Sequence, residues 1–193
     1  NIKALSDATV EAGSQIHVLV EYEVGMKRCG VDTYDEFIEL AELIDKSEGL
    51  IFEGIQAYGG HMAHEHSLET RIAETNRIEN EVRELKALLE AKGLKVKEVG
   101  GGSTGTIEQK AKDTVYTDIQ AGSYIFMDNA YGQLHLGFKN ALFVLTTVIS
   151  TKKDRVVTDT GVKSLGMDQG DPVFLGVPEG SPISMSEEHG AVY

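Results

Sequence analysis

From Ile16 to about Met127 the chain alternates short apolar, β-branched runs with helical segments, and nothing else in it restricts the fold as much. Ile16–Tyr22 (I-H-V-L-V-E-Y) reads as a buried strand. Tyr34–Lys46 then places Phe37, Leu40, Ala41, Leu43 and Ile44 at a helical period. Leu50–Gln56 reads as a second strand. A long helix follows from about Ser67 to Ala91, with Leu68, Ile72, Ile78, Val82, Leu85 and Leu89 on one stripe and Gly93 where a helix is capped. A third strand is expected over Leu94–Val99, with a short helical turn at Ile107–Ala111. A fourth is expected near Val115–Ile119, with Ser123–Met127 continuing it or forming its own strand.

Strands that alternate with helices form a parallel sheet with right-handed crossovers. Four such units make half of an eightfold barrel, which takes about 250 residues when complete. The chain starts at Asn1, inside an apparent helix, and stops at Tyr193 after a strand-like run. It reads as an internal piece of a longer protein, with the other half-barrel expected before Asn1. The rhythm changes near Asn129. Ala141–Ser150, Arg155–Thr158, Val173–Val177 and Ile183–Ser186 are strand-like and separated by turn signals such as Asp-Thr-Gly and Pro-Glu-Gly. The expected fold is therefore α/β: the C-terminal half of a (β/α)8 barrel over residues 1–139, then part of an all-β domain over 140–193, with Asn129–Lys139 as connector. Half a barrel leaves two unpaired sheet edges, so the piece alone is expected to be insoluble, dimeric or molten.

A net charge of -13 is the wrong sign for a nucleic-acid surface. No stretch reaches the roughly 18–20 apolar residues that span a bilayer. Cys29 is the single cysteine, which fits a reducing cytoplasm.

Reactive groups of α/β barrels sit where strands end. Here those places are Val24–Gly30, Gln56–His61, Val99–Thr106 and Gln120–Tyr124. Val99–Thr106 (V-G-G-G-S-T-G-T) can turn successive backbone N–H groups toward one anion, with Ser103 and Thr104 adding hydroxyls and a short following helix adding its positive end. By itself the loop reads equally well as a plain strand-to-helix turn. Arg28 can grip an anionic oxygen, or simply be exposed. Tyr58 can stack on a flat ring, or pack in the core. His61, His64 and His66 have a spacing that can ligate zinc, but they lead into a helix and read better as a solvated loop with one ligand-facing histidine, His61. Ser186–Gly190 reads as a charged turn.

Six motifs in one order carry a resemblance. They are G-M-K-R-C-G (25–30), G-I-Q-A-Y-G-G-H (54–61), G-G-G-S-T-G-T (100–106), Q-A-G-S-Y-I-F-M-D (120–128), D-T-G-V-K-S-L-G-M-D-Q-G-D-P (159–172) and S-E-E-H-G (186–190). Together they resemble the D-threonine aldolase and D-serine dehydratase family, pyridoxal-phosphate enzymes of the alanine-racemase-like fold. The resemblance implies that Arg28 lies near the cofactor's phenolic oxygen and Tyr58 beside its pyridine ring. Gly102, Ser103 and Thr104, with Gly122, Ser123 and Tyr124, would form the phosphate cradle. It also implies a Schiff-base lysine upstream of Asn1 and metal ligands (for Mn, Mg or Zn) in a His-x-Asp or His-x-Cys motif beyond Tyr193. No catalytic lysine and no metal ligand is then expected within the chain, and Lys163 has no matching context.

The implied activity is a metal-assisted, pyridoxal-phosphate-dependent lyase on D-3-hydroxyamino acids, giving glycine and an aldehyde, in a cytoplasmic homodimer. The alternatives are a D-serine dehydratase, an amino-acid racemase and a non-catalytic pyridoxal-phosphate carrier. The β-rich segment after residue 140 weighs against the carrier.

Overall fold

In a computed structural model of the chain, the structure describes residues 1–110, 113–178 and 180–193. These fall into two compact units, Asn1–Gly122 and Ser123–Tyr193. The expected domain division at 139/140 lies inside the second unit.

In the first unit, α1 (Ile2–Glu11) precedes β1 (Ile16–Glu21), α2 (Tyr34–Asp45), β2 (Leu50–Ala57), α3 (Leu68–Ala91), β3 (Glu98–Gly101) and β4 (Asp118–Ile119). The strands lie in the order β1-β2-β3-β4, every neighbouring pair parallel. Local chemistry sets the helix starts. The Thr33 hydroxyl accepts the Glu36 N–H at 3.2 Å and donates to the Glu36 carboxylate at 2.9 Å, a reciprocal cap. Ser67 accepts the Thr70 N–H at 3.2 Å. Gly93 leaves α3 with φ +86°, a conformation that a side chain resists. The helices seal one core, in which Phe37, Ile55, Val82, Leu85, Leu89 and Val99 are wholly buried.

β2 is the pivot of the sheet. A bulge shifts its register, so that Val18 faces Phe52 but Leu19 faces Gly54. At Gly54 a Cβ would run into the Glu98 carbonyl of β3.

The third strand differs from its expected span. Leu94 and Val96 are buried in the core, but the ladder begins only at Glu98 and runs through Gly100 and Gly101. The glycines expected in a loop belong partly to the strand. There a Cβ at Gly101 would meet the Tyr116 ring and the Ala57 carbonyl. The fourth strand pairs only at Asp118–Ile119. The turn expected at Ile107–Ala111 overlaps a 3-10 turn over Thr104–Lys110, with Ala111 outside the described residues.

In the second unit, Ser123–Ile125 is a 3-10 turn rather than a strand, and α4 (Asn129–Gly132) is capped by Asp128. Then β5 (Val148–Thr151), β6 (Val156–Thr158), β7 (Ile183–Met185) and β8 (Gly190–Val192) form an antiparallel sheet in the order β5-β6-β8-β7. Of the run Ala141–Ser150 only the end pairs, and Val173–Val177 forms no strand. The Pro178–Gly180 turn signal includes Glu179, outside the described residues. No helix among the described residues is long and apolar enough to cross a membrane.

Candidate functional site

Because the strands of the first unit are parallel, their C-terminal ends share one edge of the sheet, and the candidate loops lie along it. The loop after β1 is folded around its own acid. Burial would raise the Glu23 carboxyl. Donation from the backbone N–H groups of Gly25 and, at 3.3 Å, Arg28 outweighs this and holds the pKa below the usual carboxylate value. That nest is therefore already filled by a carboxylate. The loop instead presents Arg28, half exposed, with its guanidinium 3.7 Å from the Glu21 carboxylate.

Arg28 and Tyr58 are brought together. The guanidinium carbon stands 5.5 Å from the centre of the half-buried Tyr58 ring, within cation–π range. Just below the Tyr58 loop, Gln56 and Gln120 exchange two amide hydrogen bonds, 2.9 and 2.8 Å, across Gly100 of the strand between them. A Cβ at Gly100 would lie 2.9 Å from the Gln56 oxygen.

The glycine loop turns at Gly102, φ +68°, and buries Ser103, Thr104 and Thr106. The Ser103 N–H donates to the Thr106 hydroxyl at 3.0 Å, and the Thr106 N–H donates to the Ser103 carbonyl at 3.1 Å. Thr106, which closes the expected loop Val99–Thr106 without being among its expected phosphate donors, thus braces the turn. Its signal was present as a hydroxyl three residues beyond Ser103, the spacing of a side-chain cap. Gly122 borders open space, where a Cβ would meet nothing within 4 Å. Ser123 and Tyr124 belong to the second unit, on its first 3-10 turn, with the Tyr124 ring tilted against Phe138 at 5.7 Å.

His61 sits neither in a metal cluster nor free in solvent. Its Nε2 is 3.1 Å from the Glu74 carboxylate, and its ring covers Gly25. Glu74 is held at a pKa of about 2, first by its bonds from Arg77, against burial, and further by His61. A carboxyl depressed in the folded state stabilises the fold above its ordinary value near 4.5, and that contribution is lost as pH falls toward 2. The melting temperature of the Glu74→Gln variant should therefore trail the unsubstituted protein at neutral pH. The gap should close between about pH 4.5 and 2, as thermal melts across that range would show.

Among the described residues no group of three or more His, Cys, Asp or Glu is placed to hold a metal ion. In the second unit, two motifs meet. Val162 N–H donates to the Ser186 carbonyl at 2.9 Å and Lys163 N–H to the Glu187 carbonyl at 3.0 Å. The Lys163 ammonium pairs with Glu187 and Glu188, at 2.8 and 2.5 Å. Ser186–His189 is the turn that joins β7 to β8.

The donor set at the sheet edge suits a phosphate ester on a flat ring. It offers a guanidinium over a tyrosine ring, a glycine turn with clustered hydroxyls, and no acidic side chain between Val99 and Ile107.

Comparison with known proteins bears on what such an edge serves. Residues 1–130 match the alanine racemase N-terminal domain, and residues 141–193 match a putative serine dehydratase domain. The chain is 38% identical over 202 residues to a 3-hydroxy-D-aspartate aldolase of Paracoccus denitrificans (strain Pd 1222), covering all of this chain and 52% of that protein. It is 39% identical over 197 residues to a D-threonine aldolase of Arthrobacter sp, with the same coverage, 100% and 52%. The crystal structure of D-threonine aldolase from Filomicrobium marinum superposes with a TM-score of 0.91 at 35% identity, over 99% of this chain and 53% of that one. The chain thus spans about half the length of the curated relatives it matches. These matches bear out the resemblance read from the six motifs and the alanine-racemase-like α/β architecture. The chain belongs to the alanine racemase N-terminal domain family.

Proposed function

We propose that the full-length protein is a pyridoxal-phosphate-dependent lyase that cleaves D-3-hydroxyamino acids to glycine and an aldehyde. The observation that carries this reading is the Arg28–Tyr58 pair beside a glycine turn of buried hydroxyls on one sheet edge. It is supported by two relatives, each matching the whole chain, named as aldolases of D-threonine and 3-hydroxy-D-aspartate. Both substrates are D-amino acids with a hydroxyl on the β carbon.

Pyridoxal phosphate, when bound, supplies an electron-poor ring that accepts the electron pair released as the substrate bond breaks. The chain's own residues bind and orient. Gly102, Ser103 and Thr104, with Gly122, would hold the phosphate. Tyr58 would fix the plane of the ring, and Arg28 would donate to its phenolic oxygen. In retro-aldol cleavage the Cα–Cβ bond breaks, the hydroxyl proton leaves with the aldehyde's formation, and Cα gains a proton to give glycine. The described residues do not assemble a metal site.

The match of residues 141–193 to a putative serine dehydratase domain favours one second reading, elimination to a keto acid and ammonia. In either case we place the enzyme in the cytoplasm as a homodimer, with residues 1–139 as the cofactor-binding part and 140–193 as part of a β domain. Incubation of the purified full-length protein with D-threonine and D-serine separates the readings. Glycine release is expected; ammonia release without glycine points to the dehydratase, and a protein that takes up no pyridoxal phosphate overturns both.

A further inference from the structure

We propose that His61 is a positioning residue: through Glu74 and Arg77 it clamps the loop after β1 onto the loop after β2, and so sets the geometry of Arg28 over Tyr58. This rests on the cofactor-binding reading above. The contacts form a closed circuit. Gly25 has φ +128°, and the space a side chain would take there is filled by the His61 ring, 2.6 Å from an added Cβ to Cε1 and 2.7 Å to Nε2. His61 Nε2 meets Glu74 Oε1 at 3.1 Å. Arg77 donates twice to that carboxylate, at 2.5 and 2.9 Å. The same guanidinium donates to the Val24 carbonyl at 2.7 Å, which returns the circuit to the residue beside Gly25. Glu81, at 2.6 Å, holds its remaining side.

Two of these links leave α3, and they decide the matter. Glu74, Arg77 and Glu81 sit at i, i+3 and i+4 spacings, and such pairs on a helix surface add only tenths of a kcal/mol. The bond from Arg77 to Val24 and the bond from His61 to Glu74 instead tie two strand-end loops to one rigid helix. Arg28 lies in the first loop, and Tyr58 opens the second. Arg28 has little else to fix it, since its ion pair to Glu21 is 3.7 Å long and half exposed. A further sign is that His61 Nδ1 is buried with no hydrogen-bond partner among the described residues. An orphaned buried nitrogen costs stability, so fold stability alone does not explain an imidazole here. A ring pinned on one nitrogen by Glu74 and filling the space beside Gly25 works as a spacer between loops.

The test measures pyridoxal-phosphate affinity of the full-length protein by titration of the apo form, together with the visible circular dichroism of the bound cofactor and the apo melting temperature. His61→Ala is expected to weaken binding about tenfold, or 1.4 kcal/mol, and to alter the cofactor's dichroism. His61→Gln, which keeps a donor for Glu74, should restore most of the affinity. If His61 acts through Arg28, its effect should largely vanish in an Arg28→Ala background, giving a non-additive double-mutant cycle. If His61→Ala does not fold, Glu74→Gln, nearly equal in volume, replaces it. A drop in melting temperature with affinity and dichroism unchanged overturns the proposal, as does an additive cycle. An unsubstituted protein that binds no pyridoxal phosphate overturns the underlying reading and this one with it, which keeps the two failures apart.

Discussion

Gly54→Ala is expected to destabilise the parallel sheet by about 3 kcal/mol or more, the upper range for forcing atoms into a packed interior. The reason is backbone, not side chain. The added methyl would strike the Glu98 carbonyl in the neighbouring strand, and a carbonyl in a ladder cannot rotate away as a side chain can. Relief would require separating β2 from β3 where Gly54 pairs with Glu98 and Ile55 with Val99. Both of those apolar residues are fully buried, so the separation would open the core. Urea unfolding of the full-length variant, or its loss to the insoluble fraction, measures the effect. A soluble Gly54→Ala protein within 1 kcal/mol of the parent would show that the strands can part at little cost.

Phe37→Ala is the second large effect, expected at about 3–5 kcal/mol. Phe37 is wholly buried on the inner face of α2, with Ile38, Ala41 and Ile44 buried beside it. Its ring meets the Tyr22 ring edge-on at 6.5 Å, and Tyr22 in turn lies 5.4 Å from Tyr34. Truncation leaves a cavity between the helix and the end of β1, where the loop carrying Arg28 departs. Phe37→Leu fills most of that volume and should recover more than half of the loss. The same unfolding measurement applied to both variants separates cavity cost from any loss of aromatic pairing.

Legibility in the sequence followed the physical origin of each element. α2, β2 and α3 could be read within a residue or two, because Thr33 and Ser67 cap their helices locally and Ile78, Val82, Leu85 and Leu89 are buried at a helical period, although Leu43 of α2 and Leu68 and Ile72 of α3, expected on the same stripes, are exposed. β3 was read early because Leu94 and Val96 alternate like a strand. Their burial comes from packing, whereas the ladder is set by β2, a partner more than 40 residues distant. Leu142–Leu145 look like a strand by composition, yet they stay exposed, and no local property of the run shows that. β8 was missed for the opposite reason, since Gly-Ala-Val is too short to have a period.

At the candidate site, the glycine loop and the Arg28–Tyr58 pair could be singled out because strand ends are where barrels place chemistry. The partners of His61 could not. Glu74 and Arg77 look like ordinary surface charges of a helix until Val24 and Gly25 fold against them. Long-range partners of this kind leave no mark in spacing.

The amide pair across Gly100 has a bearing on how this protein can be re-engineered. Positions 56 and 100 lie on adjacent strands and position 120 directly after the next, and the three share one volume, so their permitted residues are not independent. A Cβ at 100 would lie 2.9 Å from the Gln56 oxygen and 3.1 Å from the Gln120 nitrogen, the mobile ends of both side chains, so admitting one there shifts both amides together. A shorter residue at 56 or 120 hands the other amide to water. The effect of a change at one position therefore depends on the residues at the other two, and a search that saturates all three together reads that dependence where single changes cannot.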